Sequence, residues 1–193
     1  DNPAVLPALA NVGSALMNLG QLDEAKTTLE HALAISEASQ GHDNPHEAGM
    51  INNLALVLKE QGKLDEAMAM FERARKIAEA LGGPAAPDVV DAYLNEATVL
   101  KAQKKLPEAV ALEERMLPVA EKAYGADHPH VAMLLVNLGL HEEELDKHQE
   151  ALTVFQKAQP MLEKKFGKDH VYVSYVLLGE GEALLGMKKP AEA

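Results

Sequence analysis

Apolar residues recur at steps of three and four along nearly the whole chain, and short polar turns interrupt them at regular intervals. Leu6, Leu9, Val12, Gly13 and Leu16 fall on one helical face and predict a helix, termed A, from about Pro3 to Leu19. A second helix, B, follows from about Leu22, with Ala25, Leu29, Ala32 and Leu33 facing inward. The A/B turns read Gly20-Gln21, Gly62-Lys63, Lys104-Lys105 and Asp146-Lys147. Glycine there supplies the left-handed residue that closes a helix at little steric cost.

The pair of helices is one unit of a longer pattern. Gly41, Gly83, Gly125 and Gly167 stand 42 residues apart, and the same register carries Ala25, Ala67, Ala109, Ala151 and Ala193. Glu24, Glu66, Glu108, Glu150 and Glu192 keep it too, as do Glu37, Glu79, Glu121 and Glu163. A fixed period of this size predicts stacked supersecondary units that share a continuous core. The repeats are expected at about 3–44, 45–86, 87–128 and 129–170, with a partial fifth at 171–193, as one elongated domain. Between them Gly stops helix B, Asp or Asn offers an oxygen to free amides, and Pro fits the next first turn. Asn44 with Glu47 resembles a capping box.

Period alone also admits HEAT and armadillo units. Small residues narrow the choice: Gly13, Gly20, Ala25, Leu29 and Ala32 are spaced as in the tetratricopeptide signature, where small side chains mark the A/B contact. Ala55, Gly62, Ala67, Phe71 and Ala74 repeat it, and Gly139, Ala151, Phe155 and Ala158 do so in part. The chain resembles the tetratricopeptide repeat family. The long period, Asn53-Leu54-Ala55 and the Gly125 to Pro129 loop are similar to the kinesin light chain type. The resemblance implies an all-α, right-handed superhelical solenoid of antiparallel helix pairs, with four full repeats plus the first helix of a fifth. It also implies a concave groove lined by A helices that receives an extended peptide or a helix.

Matching positions define a candidate surface. Asn11, Asn53, Asn95 and Asn137 recur at the period although Asn is a poor helix former, so a role for the amide is expected. A ladder of amides can grip the N–H and C=O groups of an extended peptide, or bond across adjacent A helices and set their pitch. Met17, Leu56, Lys59, Asp91, Leu94, Thr98, Lys101, Met133, Leu140, Glu143 and Tyr175 share this face by helical spacing. With Lys59 and Lys101 alone, the face lacks the basic cluster that clamps a C-terminal carboxylate in tetratricopeptide co-chaperones, and the same shortage disfavours acidic cargo peptides.

Some repeats break their own rule. Glu142 replaces the leucine of Leu16, Leu58, Leu100 and Leu184, and His148 replaces that of Leu22, Leu64 and Leu106. The register allows the two to pair, or the helices to roll and expose both. Glu96 and Glu113 also occupy apolar positions, which predicts loose packing in the third repeat. Pro118 and Pro160 lie inside B helices and are expected to kink or end them.

Composition limits the chemistry. A net charge of −12 disfavours a nucleic-acid backbone or an anionic membrane and favours neutral or basic protein or peptide partners. Lack of cysteine removes disulfides, thiolate zinc sites and a cysteine nucleophile. No apolar run is long enough to insert in a bilayer. His141 to Leu145 lacks the second histidine of a zinc-protease helix, and no phosphate-binding glycine motif occurs. Asp127, His128 and His130 are read as loop structure rather than metal ligands. No cofactor and no catalytic residue are therefore expected. The expected function is a protein interaction scaffold or adaptor, not an enzyme. The alternatives are a self-associating structural module and a regulatory domain of a larger protein. The location is expected to be cytoplasmic, with a periplasmic one still open, and the ends predict a piece of a longer chain.

Overall fold

The computed structural model describes residues 3–188; the register positions Glu192 and Ala193 lie outside them. After a 3-10 turn at Pro3–Val5, the described residues form nine α-helices and no strand. The A helices are α1 (Leu6–Asn18), α3 (Pro45–Glu60), α5 (Pro87–Ala102), α7 (Pro129–Glu144) and α9 (Val171–Gly186). The B helices are α2 (Leu22–Gln40), α4 (Leu64–Gly82), α6 (Leu106–Tyr124) and α8 (His148–Phe166). This is an all-α repeat fold of four helix pairs followed by a further A helix.

The chain divides into two compact units, the first ending at Gln103 and the second beginning at Lys104, so the division falls within the third repeat. In the first unit each of α1 to α4 packs on the next. Its main core joins Ala25 and Leu29 of α2, Leu54, Ala55 and Leu58 of α3, and Ala67 and Phe71 of α4. In the second unit α6 packs on α7, α7 on α8, α8 on α9, and α7 also on α9.

The small-residue rule has a steric cause. A Cβ on Gly13 would lie 2.6 Å from Leu29, and one on Gly139 would lie 2.7 Å from Phe155. Helices A and B approach that closely because those side chains are absent. At both ends of the described residues the rule lapses. Val12, expected on the inward face, is 48% exposed; among the described residues no B helix stands before α1 as α2 stands against its counterpart Leu54. Gly181 has nothing within 4 Å, and Leu177 is exposed although its counterparts Ile51 and Leu135 are buried.

The turns keep their geometry even where glycine is replaced. Lys104 and Asp146 adopt φ of 60° and 57°, in place of the 75° of Gly20 and Gly62, at a cost of about 1–2 kcal/mol each. A variant of the capping box forms, in which the acidic side chain reaches back to the residue before the Asn44 cap. Asn44 Oδ1 accepts the Glu47 amide at 3.0 Å, and the Glu47 carboxylate accepts the amide of Asp43. In the two later loops the expected Asp cap is corrected to histidine. His128 Nδ1 accepts the His130 amide at 3.2 Å and His170 Nδ1 that of Tyr172 at 3.3 Å. Both histidines are extended immediately before the helix, which brings the ring over the first free amides. Pro118 and Pro160 do not end α6 or α8, which run on through both.

Candidate functional site

Each A helix keeps one stripe clear of its B partner, and the two units fill that stripe differently. On α7 it runs Met133, Asn137, Leu140, Glu144, at steps of four, three and four, and all four are exposed. Met133 is 38% and Leu140 39% exposed, although α7 has α8 on one side and α9 on another. One period on, α9 holds Tyr175, Gly179, Glu182 and Gly186 at these positions, with Tyr175 53% exposed, and Leu178 and Leu185 are exposed beside them. The ladder position on α9 is Gly179, whose missing side chain makes room for Phe155, so Asn137 is the one ladder amide of this unit.

In the first unit the corresponding stripe is polar or small. Asn11 is exposed on α1. Asn53 on α3 is half-buried and lines an open cavity of about 360 Å³ with Pro7, Ala10, His46 and Gly49. Asn95 on α5 donates through Nδ2 to Asn52 Oδ1 of α3 at 2.8 Å, so at this position the amide links adjacent A helices. Leu56 and Met17 pack against the core. Lys59 pairs with Glu60 at 3.4 Å, and Thr98 donates to the carbonyl of Asn95. Leu94 is half-buried and Lys101 exposed. A second cavity, of about 220 Å³, is lined by Asn52, Asp88 and Asp91 and floored by alanines.

Beneath these stripes lie charged groups that the repeat pattern did not pair. In the first unit they answer to arginine. Arg75 of α4 reaches Glu96 of α5 at 2.7 Å and Glu79 at 2.8 Å, with its guanidinium 4.8 Å from the centre of the Tyr93 ring. Burial pushes the Glu96 carboxyl up, against the opposing pull of Arg75. Arg73 likewise bridges the fully buried Glu47 and Glu37. Glu37, His42 and Glu47 hold ligand-type atoms within 4.8 Å of one another, but Arg73 already supplies the cation there.

In the second unit Lys157, two periods after Arg73, pairs with Glu121 at 2.6 Å, but Gln159 stands at the position of Arg75. Buried Glu113 pairs with buried His141 at 2.8 Å. His148 pairs with Glu143 at 3.1 Å rather than with Glu142. Glu142 is buried with Oε2 unbonded, and burial first, then the negative charge of Glu114, pushes its carboxyl up to about 7. Glu180 Oε1 is also buried without a partner, and burial together with Glu163 raises that carboxyl. The loop rings form two three-membered clusters one period apart, Tyr124, His128 and His130, then Phe166, His170 and Tyr172, each with one stacked pair and the other rings edge-on or tilted. The signal for the hidden pairs was present in part: Glu47 stands where the other repeats have Val5, Val89, Val131 and Val173.

Comparison with known proteins bears on the fold. A tetratricopeptide repeat model matches residues 5–80, 46–122, 88–164 and 130–193. Among solved structures, BtubC (BKLC) from P. vanneervenii superposes with a TM-score of 0.84 at 19% identity, over 99% of this chain and 76% of its own. A kinesin light chain protein of Podosopora anserina with nearly identical TPR-like repeats gives 0.82 at 19%, over 100% and 91%. The apo form of RapI gives 0.78 at 16%, over 93% and 48%. No curated protein matches in sequence. Among the described residues, no helix is long and apolar enough to cross a membrane.

Proposed function

Since the chain belongs to the tetratricopeptide repeat family, a fold that serves as a protein–protein interaction scaffold, we propose that it holds a neutral or basic partner segment on the exposed stripes of its A helices. One observation carries this reading. Met133 and Leu140 are exposed on an A helix that packs against α6, α8 and α9, so packing within the repeat does not account for them. The polar first-unit stripe, with Asn53 over an open cavity, adds hydrogen-bonding groups suited to a peptide backbone.

A display selection of random peptides on the wild-type chain tests the reading, repeated on folded Asn53→Ala and Leu140→Asp variants. Enrichment of a motif that either variant loses is the expected result. A motif retained by both places the binding surface elsewhere. No enrichment, together with sedimentation showing self-association, replaces the adaptor with an assembly module.

A further inference from the structure

We propose that the stripe shared by α7 and α9 takes a basic amphipathic helix, a partner segment with aliphatic anchors on one face and Lys or Arg beside them. The inference rests on the A-helix docking reading and adds the chemistry of the occupant.

Charge is the first argument. Neither α7 nor α9 contains a Lys or Arg, while Glu144 and Glu182 are exposed on them. The described basic residues of this unit sit on α6, α8 and the turns. The stripe carries Glu144 at its end on α7 and Glu182 at the position of Leu140 on α9, and therefore faces a partner through a surface of one sign, which steers a cationic segment and rejects an acidic one.

Backbone satisfaction is the second. An extended peptide brings unpaired N–H and C=O groups and needs a row of polar side chains to receive them. On this face the ladder is reduced to Asn137, because Gly179 occupies its place on α9. A helix has already satisfied its own backbone and needs only apolar contact. Spacing agrees: Met133 and Leu140 are seven residues apart, about 10 Å along the axis, which matches the i to i+7 anchors of a docked helix.

The test is a fluorescence anisotropy titration of the whole chain with three labelled 18-residue peptides. One is a Leu/Lys helix with leucines at helical spacing, the second its scrambled sequence, and the third the Leu/Glu counterpart. The Leu/Lys helix should bind, with affinity falling as salt rises, and Leu140→Asp should weaken it at least about tenfold. Glu144→Lys with Glu182→Lys should weaken it and flatten the salt dependence, while Gln156→Ala, at an exposed position of α8, leaves it unchanged. Circular dichroism confirms that each exposed-site variant is folded. Equal binding of the Leu/Glu or scrambled peptide, no binding, or indifference to Leu140→Asp overturns the inference. A display-selected motif that depends on Asn53 alone would overturn it while leaving the docking function intact.

Discussion

Residues 75, 79 and 96 are Arg, Glu and Glu; two periods later, residues 159, 163 and 180 are Gln, Glu and Glu. In the first unit Arg75 bonds both carboxylates. In the second, Gln159 bonds Glu163 at 2.8 Å, and Glu180 Oε1 stays buried and unpaired. The same backbone frame thus holds a neutralised cluster in one place and an uncompensated one in the other. The repeat fixes where side chains meet, and single substitutions decide the chemistry of the meeting. The exposed stripes follow the same rule, polar in the first unit and apolar with acidic neighbours in the second.

Removing the arginine should make the two clusters alike. Arg75→Gln leaves Glu96 buried without its cation and should cost about 3–5 kcal/mol at neutral pH in urea unfolding. A loss below about 1 kcal/mol would mean that solvent, not Arg75, stabilises Glu96.

Steric closeness gives the next largest effect. On α9, a Cβ at Gly179 would meet Phe155 at 2.5 Å, whereas one at Gly181 meets nothing. Gly179→Ala should therefore destabilise the second unit by about 1–3 kcal/mol. Gly181→Ala should stabilise it by about 0.5–1 kcal/mol through helix propensity. Opposite signs from two glycines in one helix would sharpen the case that neighbouring B helices set the small-residue rule.

Glu142 gives a pH signature. Its carboxyl is raised from 4.5 to about 7 in the fold, so the folded chain binds more protons between those values and stability falls as pH rises through them. Glu142→Leu, which restores the residue of the other repeats, should remove that slope and raise the melting temperature at pH 8 by several degrees. The gain should shrink toward pH 4. The mildest change is Gln159→Arg, which rebuilds the first-unit cluster beside Glu163 and Glu180 and should add about 0.5–1.5 kcal/mol.

Much of this architecture was legible in the residues because a repeat copies local rules. Gly13 and Gly139 marked close contacts, Asn44 and Glu47 a cap, and Gly20 and Gly62 a turn whose shape Lys104 and Asp146 retain. The charged pairs were less legible. Glu96 and Glu113 stood out as polar residues at apolar positions, but Arg75 and His141 come from neighbouring helices, 21 and 28 residues away, offsets with no meaning in the repeat register. The asparagine ladder was visible as a period, yet Asn95 is engaged by Asn52, which belongs to another column. Val12 shows the remaining limit: its burial depends on a neighbouring B helix, which its own repeat does not encode.

The most direct measurement is an amide chemical-shift map of the labelled chain during titration with a display-selected peptide. The account predicts shifts concentrated along A-helix stripes, strongest around Met133, Asn137, Leu140 and Tyr175, with the outer faces of the B helices silent. Shifts centred on the B helices would contradict it.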